Sequence, residues 1–176
     1  KLIYVGDFIQ NKILETSKNI AKDLNKIVYN VEFFIIGGGE KEKSKMNKLC
    51  KMNKDIIKLC NRIDDREKLL KMYRKANVFI MPSFHETFGL VYSEATANGK
   101  AVIECTGEGI EDFVEDGKTG ILVEQKDVDI LVRAMDCLLG HPDKTKTIGE
   151  RARKLVMENY TWEKMPRRLY KYIVRC

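Results

Sequence analysis

The sequence has no long apolar run and no paired cysteine spacing. No segment of the 176 residues approaches the roughly eighteen apolar residues that a membrane-spanning helix needs, so a transmembrane protein is not expected. The five cysteines are odd in number and widely scattered, which predicts neither a disulfide framework nor a zinc site. Reduced thiols favour a reducing compartment.

The sequence also lacks a block of one charge sign, an arginine cluster and an aromatic ladder. Lys and Arg outnumber Asp and Glu by 32 to 26, giving a net charge of +6, with the acids interspersed. This mixture argues against a nucleic-acid module and suits anionic ligands in general. The one biased patch, GEKEKSKMNKLCKMNK, is typical of a solvated helix that turns Met46, Leu49 and Cys50 inward, rather than of a nucleic-acid arm.

Short apolar runs alternate with amphipathic stretches along the chain. Short runs rich in Val, Ile and Phe are typical of buried parallel strands, and residues at helical spacing indicate the covering helices. The alternation predicts one Rossmann-like, doubly wound α/β domain with a parallel sheet of about six strands flanked by helices. The predicted strands are LIYVG, VEFFIIG, DIIKLC, VFIMPS, KAVIEC and GILV, and the predicted helices include Ile13 to Ile27, Arg66 to Lys75, Leu90 to Asn98, Asp127 to Leu139, Pro142 to Asn159 and a last one from Thr161 onward.

Ligands of such sheets bind beyond the carboxyl ends of the strands, so the loops there are candidate sites. The first loop, GDFIQNK, ends a strand with Gly6 and places the cation Lys12 before a helix. The second, IIGGGEKEK, has three glycines but fits neither the dinucleotide fingerprint nor a phosphate-binding loop. Each loop alone is equally typical of an ordinary turn.

The most informative stretch is PSFHETFGLVYSEATANGKAVI, residues Pro82 to Ile103. A strand leads into a loop, and Phe88-Gly89-Leu90 opens a helix that carries Glu94. The free backbone amides from Thr87 to Leu90 suit a phosphate or a sugar oxygen, and Glu86 and Glu94 are acceptors able to hold vicinal hydroxyls. A ligand with phosphate in the middle and hydroxyl groups on both sides is a nucleotide sugar. The alternative is that Glu86 only stabilises the helix start and Glu94 is a surface residue.

The same stretch resembles the signature of glycosyltransferase family 4, retaining enzymes of the GT-B fold. The resemblance extends over almost the whole chain, in order and spacing. It rests on Glu86 and Glu94 with seven residues between them, Asn98-Gly99-Lys100-Ala101-Val102, LIYVG with Lys12, FFIIGGGE, ANVFIMPS, GEGIEDFVEDGKTGILV and YTWEK.

The resemblance implies roles for individual residues. Lys12 would bind the diphosphate and assist the leaving group, and Glu86 would lie near the hydroxyls of the transferred sugar. Glu94 would bind the ribose, while the backbone at Phe88, Gly89 and Leu90 would approach the sugar and diphosphate. The base would rest against Asn61, Arg62 and Ile63. Members of this family need no metal and no other cofactor, since cations and helix ends replace it.

Three positions depart from the family pattern. Asp7 stands where the family usually has an Arg that grips the diphosphate, so an anion there would repel the ligand. Ile13 and Asn61 stand where glycines are frequent. His85 is a weak candidate for a general base, since the family's functional His lies in its other domain, and His141 is expected to be a surface residue.

The resemblance implies that residues 1–176 are the C-terminal, donor-binding half of a hexosyltransferase-type enzyme. Since the chain opens directly on a strand without Met, we expect a piece of a longer protein whose N-terminal acceptor domain is absent here. The isolated domain is then expected to bind a nucleotide-diphospho-sugar without transferring it. The acceptor would be a glycan or a lipid-linked molecule, and no nucleic-acid partner is expected. The protein is expected in the cytoplasm, and peripheral contact with a membrane stays open. A non-catalytic relative that acts as a partner subunit is the alternative.

Overall fold

Six short strands form one parallel sheet at the centre of the domain. The computed structural model describes residues 1–6, 31–38, 40–81, 90–107, 114–125, 127–161 and 164. Within them the sheet order is β3-β2-β1-β4-β5-β6, with every neighbouring pair parallel. The predicted doubly wound sheet of about six strands is confirmed. The strands are β1 (Leu2–Val5), β2 (Phe33–Gly37), β3 (Ile57–Asn61), β4 (Val78–Ile80), β5 (Ala101–Cys105) and β6 (Ile121–Val123).

The helices of the described residues follow the predicted ranges closely. None of them combines the length and the apolar character needed to cross a bilayer. The helix predicted over Ile13 to Ile27 lies outside the described residues, as does nearly all of the one predicted from Thr161. The observed helices are α1 (Glu40–Met52), α2 (Arg66–Lys75), α3 (Leu90–Ala97), α4 (Val128–Gly140) and α5 (Pro142–Asn159).

Local side-chain chemistry sets several helix starts. The Asp65 carboxylate accepts a hydrogen bond from the backbone N–H of Lys68 at 3.1 Å and caps α2. Asp127 does the same for α4 through the N–H of Ile130, at 2.9 Å. Pro142 begins α5, where a missing N–H costs nothing. These caps account for starts that agree with the sequence prediction.

Burial is uneven across the sheet. Every residue of β1 and of β5 is buried, as expected for central strands covered on both faces. The edge strand β3 is mostly half-exposed. Beside it, α1 buries Met46 and Leu49 and half-buries Cys50, while its described lysines are exposed. The predicted orientation of this lysine-rich helix is therefore confirmed.

Two glycines bring α5 against the start of β5. Gly99 follows α3 with a φ of 70°, in the left-handed region that glycine tolerates best. A Cβ on Gly149 of α5 would lie 2.1 Å from the carbonyl oxygen of Gly99. Only a residue without a side chain permits this approach, so the glycine contact allows α5 to pack closely against the start of β5.

The four cysteines in the described residues carry reduced thiols, as the scattered spacing predicted. Cys105 in β5 is buried. Burial raises the pKa of the Cys50 thiol to about 11 and also raises the pKa of Cys60. At neutral pH both half-buried thiols are therefore protonated.

Candidate functional site

The direction of the strand order reverses between β1 and β4, and their carboxyl ends meet at Gly6 and Met81. The N–H of Gly6 donates to the carbonyl oxygen of Ile36 at 3.0 Å. A Cβ on Gly6 would lie 2.8 Å from the Tyr4 hydroxyl oxygen and 3.6 Å from the Met81 sulfur. Gly6 thus lies in a narrow gap at the topological switch point, the place where open α/β sheets bind their ligands.

The predicted base-binding residues lie at the same edge of the sheet, farther out. Asn61 ends the outermost strand β3 and is exposed. The Arg62 guanidinium pairs with the Asp64 carboxylate at 2.8 Å, and both side chains are exposed. Ile63 packs partly against the core. Two strand spacings separate β3 from β1, about 10 Å, so these residues and Gly6 could contact different parts of one extended ligand.

The predicted loop residues between β4 and α3 lie outside the described residues. These are His85, Glu86, Thr87, Phe88 and Gly89, and the same holds for Asp7, Lys12 and Ile13. The structure describes the residues on either side of this segment. Met81 precedes it, and Leu90, which is 55% exposed, is the first residue of α3.

Glu94 is the predicted site residue whose surroundings are best defined. It lies on α3 and is half-buried. The hydroxyl of Tyr73, on α2, donates to the Oε2 of Glu94 at 3.2 Å and lies 3.5 Å from the carbonyl oxygen of Val91. The carboxylate is thus engaged by a buried side chain of another helix, which the alternative of a plain surface residue does not predict.

Tyr73 is a partner of Glu94 that the sequence analysis did not identify. Its side chain is fully buried. Burial raises the pKa of the phenol, and the negative charge of Glu94 raises it further. The hydroxyl therefore remains a proton donor. The only sequence signal was an aromatic residue on the apolar face of Arg66–Lys75, which is equally typical of an ordinary core residue.

An aromatic cluster connects Glu94 with the end of β4. The ring of Phe79 lies 6.1 Å from that of Tyr73 and 5.1 Å, edge-on, from that of Tyr92. The Tyr92 hydroxyl donates to the carbonyl oxygen of Met81 at 2.5 Å. One aromatic cluster therefore links Met81, at the end of β4, with Tyr92 on α3.

The residues Asn98, Gly99 and Lys100, which belong to the same sequence signature, lie at the opposite end of α3. The Lys100 ammonium donates to the carbonyl oxygens of Arg74 at 3.2 Å and Ala76 at 2.9 Å, where α2 ends. Burial lowers its pKa. A cavity of about 450 Å³ beside it is lined by Asn77 and residues of α4 and α5. This part of the signature therefore supports the fold rather than the carboxyl edge.

His141 lies between α4 and α5 and is exposed. Its Nδ1 is 2.9 Å from the carbonyl oxygen of Cys137, four residues earlier. The contact is local, and the helix junction is not part of the strands' carboxyl edge. The expectation that His141 is a surface residue is confirmed.

The sheet order and the position of the candidate site define the class of protein. The order 3-2-1-4-5-6 with helices between parallel strands is that of a Rossmann-like nucleotide-binding domain. The sequence analysis associated Gly6, Asn61 and Leu90 with the donor. Gly6 directly follows β1, Asn61 ends β3 and Leu90 begins α3, the helix that follows β4.

The chain belongs to the family of group 1 glycosyl transferases, whose model matches residues 1–155. It is 28% identical over 162 residues to an uncharacterized glycosyltransferase of Methanocaldococcus jannaschii, covering 92% of this chain and 44% of that protein. It is 29% identical over 168 residues to the capsular polysaccharide biosynthesis glycosyltransferase CapM of Staphylococcus aureus, covering 92% and 43%. The chain thus spans less than half of each relative.

Solved structures with the same fold cover nearly the whole chain. Sucrose-phosphate synthase of Thermosynechococcus elongatus matches with a TM-score of 0.81 and 27% identity, over 99% of this chain and 45% of the synthase. Anabaena HepE in complex with UDP and glucose gives 0.80 and 16%, over 99% and 48%. The C-terminal domain of LpcC, a group 1 family protein of Francisella tularensis, gives 0.80 and 23%, over 92% and 86%. The predicted fold, one Rossmann-like half of a GT-B glycosyltransferase, is confirmed.

Proposed function

We propose that this chain is the C-terminal, donor-binding domain of a retaining family 4 glycosyltransferase of the hexosyltransferase type. It binds a nucleotide-diphospho-sugar at the β1–β4 switch point. An N-terminal domain completes the enzyme and binds the acceptor, a glycan or a lipid-linked molecule. The share of the relatives that this chain spans supports such a division, since the match covers 44% and 43% of the two named above.

One observation carries the proposal: the half-buried carboxylate of Glu94, on α3, accepts a hydrogen bond from the buried Tyr73 hydroxyl of α2. A carboxylate in this position is an acceptor for paired ribose hydroxyls. HepE, a protein of the same fold, was crystallised with UDP and glucose, which makes UDP the first nucleotide to test.

The diphosphate and sugar would be bound by the segments around the switch point. Lys12 neutralises the diphosphate and stabilises the leaving group, and Gly6 leaves room for it. Glu86 accepts hydrogen bonds from the sugar, and the amides from Thr87 to Leu90 donate to its oxygens and to the phosphates. Asn61, Arg62 and Ile63 contact the base. Because these cations and amides neutralise the charge, no metal is required.

The donor site is tested by calorimetric titration of the full-length protein with UDP, GDP, ADP and their common sugar conjugates. We expect one nucleotide series to bind. Glu94→Ala should weaken that series by roughly 1–3 kcal/mol, because ribose hydroxyls lose their acceptor. Arg151 on α5 is exposed and has no predicted role in donor binding, so Arg151→Ala provides the matched control and should leave the affinity unchanged.

The titration also discriminates between an active glycosyltransferase and a non-catalytic relative. Asp7 is the one residue that favours the second hypothesis. Weak binding that Asp7→Arg strengthens would mean that the anion reduces an otherwise intact site. Binding of no nucleotide by the full-length protein would contradict the donor role. Transfer of sugar with retained anomeric configuration, followed by NMR, would establish the retaining class. The extent to which the protein sediments with lipid vesicles would test peripheral attachment to a membrane.

A further inference from the structure

The contact between Tyr73 and Glu94 joins two helices that are separated by β4 in the chain. Tyr73 lies near the end of α2, and Glu94 lies in the middle of α3. Their hydroxyl and Oε2 atoms are 3.2 Å apart, which is within hydrogen-bond distance. The alternative acceptor, the carbonyl oxygen of Val91, is farther away at 3.5 Å and carries no net charge. The carboxylate is therefore the stronger acceptor for the single phenolic proton.

A glutamate side chain on a helix has three rotatable bonds, and fixing them costs conformational entropy. Tyr73 can supply that order in advance because its ring is fully buried and packed against Phe79. The second carboxylate oxygen, Oε1, has no donor among the residues that the structure describes. Among the described residues, one oxygen of Glu94 is therefore bound by the protein, and Oε1 can still accept hydrogen bonds from a ligand.

The phenol keeps its proton under these conditions. Burial and the neighbouring carboxylate both disfavour the phenolate. At neutral pH the hydroxyl is therefore protonated and can donate to Glu94.

We infer that Tyr73 is a positioning residue for nucleotide binding: its hydroxyl fixes Oε2 of Glu94 so that Oε1 is aimed at the ribose hydroxyls of the donor. The inference rests on the proposed donor-binding function and adds a residue from outside the loop that follows β4. Tyr73 would not touch the ligand. Its loss should therefore affect only ligands that have ribose hydroxyls.

The test compares Tyr73→Phe with Tyr92→Phe in the full-length protein. Each variant removes one hydroxyl from the same aromatic cluster, but the Tyr92 hydroxyl donates to Met81 and not to Glu94. Dissociation constants are measured by calorimetry for UDP, GDP and ADP and for their 2′,3′-dideoxy counterparts. The dideoxy nucleotides keep the base and the diphosphate, so they report on everything except the ribose contact.

We expect Tyr73→Phe to weaken the ribonucleotide that binds best by about three- to tenfold, and to leave its dideoxy counterpart unchanged within about twofold. Tyr92→Phe should change both ligands by the same factor. Tyr73→Phe added to Glu94→Ala should cause no further loss. If Tyr73→Phe weakens both ligands equally, the residue is only structural and the inference fails.

A second measurement tests the contact without any ligand. In urea unfolding, Tyr73→Phe should lower the free energy of unfolding of the otherwise unaltered protein. In the Glu94→Ala background the same substitution should lower it less or not at all. The two effects should differ by about three- to tenfold in the unfolding equilibrium constant. Absence of coupling would overturn the inference. Failure of every nucleotide to bind the unaltered protein would instead overturn the donor site, and the inference with it. Binding that responds to Glu94→Ala but not to Tyr73→Phe would overturn the inference alone.

Discussion

The two ends of α3 serve different purposes although they belong to one sequence signature. At the amino end Leu90 is 55% exposed, and Glu94 on the next turn is contacted by one donor among the described residues. At the carboxyl end, the Asn98 backbone N–H and the Asn98 side-chain amide both donate to the carbonyl oxygen of Glu94, at 3.1 and 2.8 Å. Gly99 then packs against Gly149.

The difference between the two ends of α3 lies in the partners of their polar groups. At the carboxyl end of α3 the hydrogen bonds join groups of the domain to one another, which stabilises the fold. Nearer the amino end, the Glu94 carboxylate accepts from one donor among the described residues, the Tyr73 hydroxyl, and we propose that it also binds the nucleotide. Substitutions at the two ends should therefore separate stability from affinity, and each prediction below tests that separation.

The largest effect is expected for Gly149→Ala. Alanine is intrinsically favoured over glycine within a helix by about 1 kcal/mol. Here the added Cβ would lie 2.1 Å from the Gly99 carbonyl oxygen, so α5 must shift away from β5. We expect a loss of about 2–4 kcal/mol in the free energy of unfolding, measured by urea titration.

The control for this prediction is Arg151→Ala, two residues farther along α5 and exposed. It should change stability by less than about 0.5 kcal/mol. If Gly149→Ala were as stable as that control, the tight contact between α5 and Gly99 would be wrong, and the carboxyl end of α3 would lose its role in the scaffold.

A smaller effect is expected for Lys100→Met, which keeps the apolar stem and removes the ammonium. The carbonyl oxygens of Arg74 and Ala76 then lose their side-chain donor at the end of α2. We expect destabilisation of about 1–2 kcal/mol with unchanged nucleotide affinity. The exposed pair of Lys146 with Glu150, at 3.9 Å, supplies the control Lys146→Met, which should cost only a few tenths of a kcal/mol.

The smallest effect on stability is expected at the amino end. Leu90→Ala removes a mostly exposed side chain, so the free energy of unfolding should change by less than about 0.5 kcal/mol in urea titration. A loss above about 1.5 kcal/mol would mean that Leu90 is part of the core. The comparison between the two ends of α3 would then no longer hold.

Much of the fold could be predicted from sequence because buried parallel strands are continuous apolar runs. The boundaries were less certain: DIIKLC predicted a strand from Asp55, whereas β3 begins at Ile57, which pairs with Phe33. The pairing partner decides where a strand starts, and that partner is about two dozen residues away in the chain. A propensity-based prediction cannot include it.

The candidate site could be predicted only as far as its signature extends. Glu94 was predicted as a ligand-binding residue because its spacing from Glu86 suggested a pair of ligand acceptors. Tyr73 was missed because its contact with Glu94 depends on how α2 and α3 pack against β4, and an aromatic residue on an amphipathic helix usually means only core. The role of Gly149 was missed for the same reason. A glycine within a helix is recognisable in the sequence by its low helix propensity, but the neighbour that requires it is visible only in the structure.

The reduced, protonated thiols give this domain a built-in reporter of its own opening. Alkylating reagents react with thiolates, and burial suppresses the thiolate of Cys50 by raising its pKa to about 11. Cys105 is in addition out of contact with solvent, at 2% exposure. The rate at which Cys105 is alkylated, located by peptide mass mapping, therefore measures how often the central sheet opens, whereas the alkylation of the half-buried Cys50 is slowed by its low thiolate content.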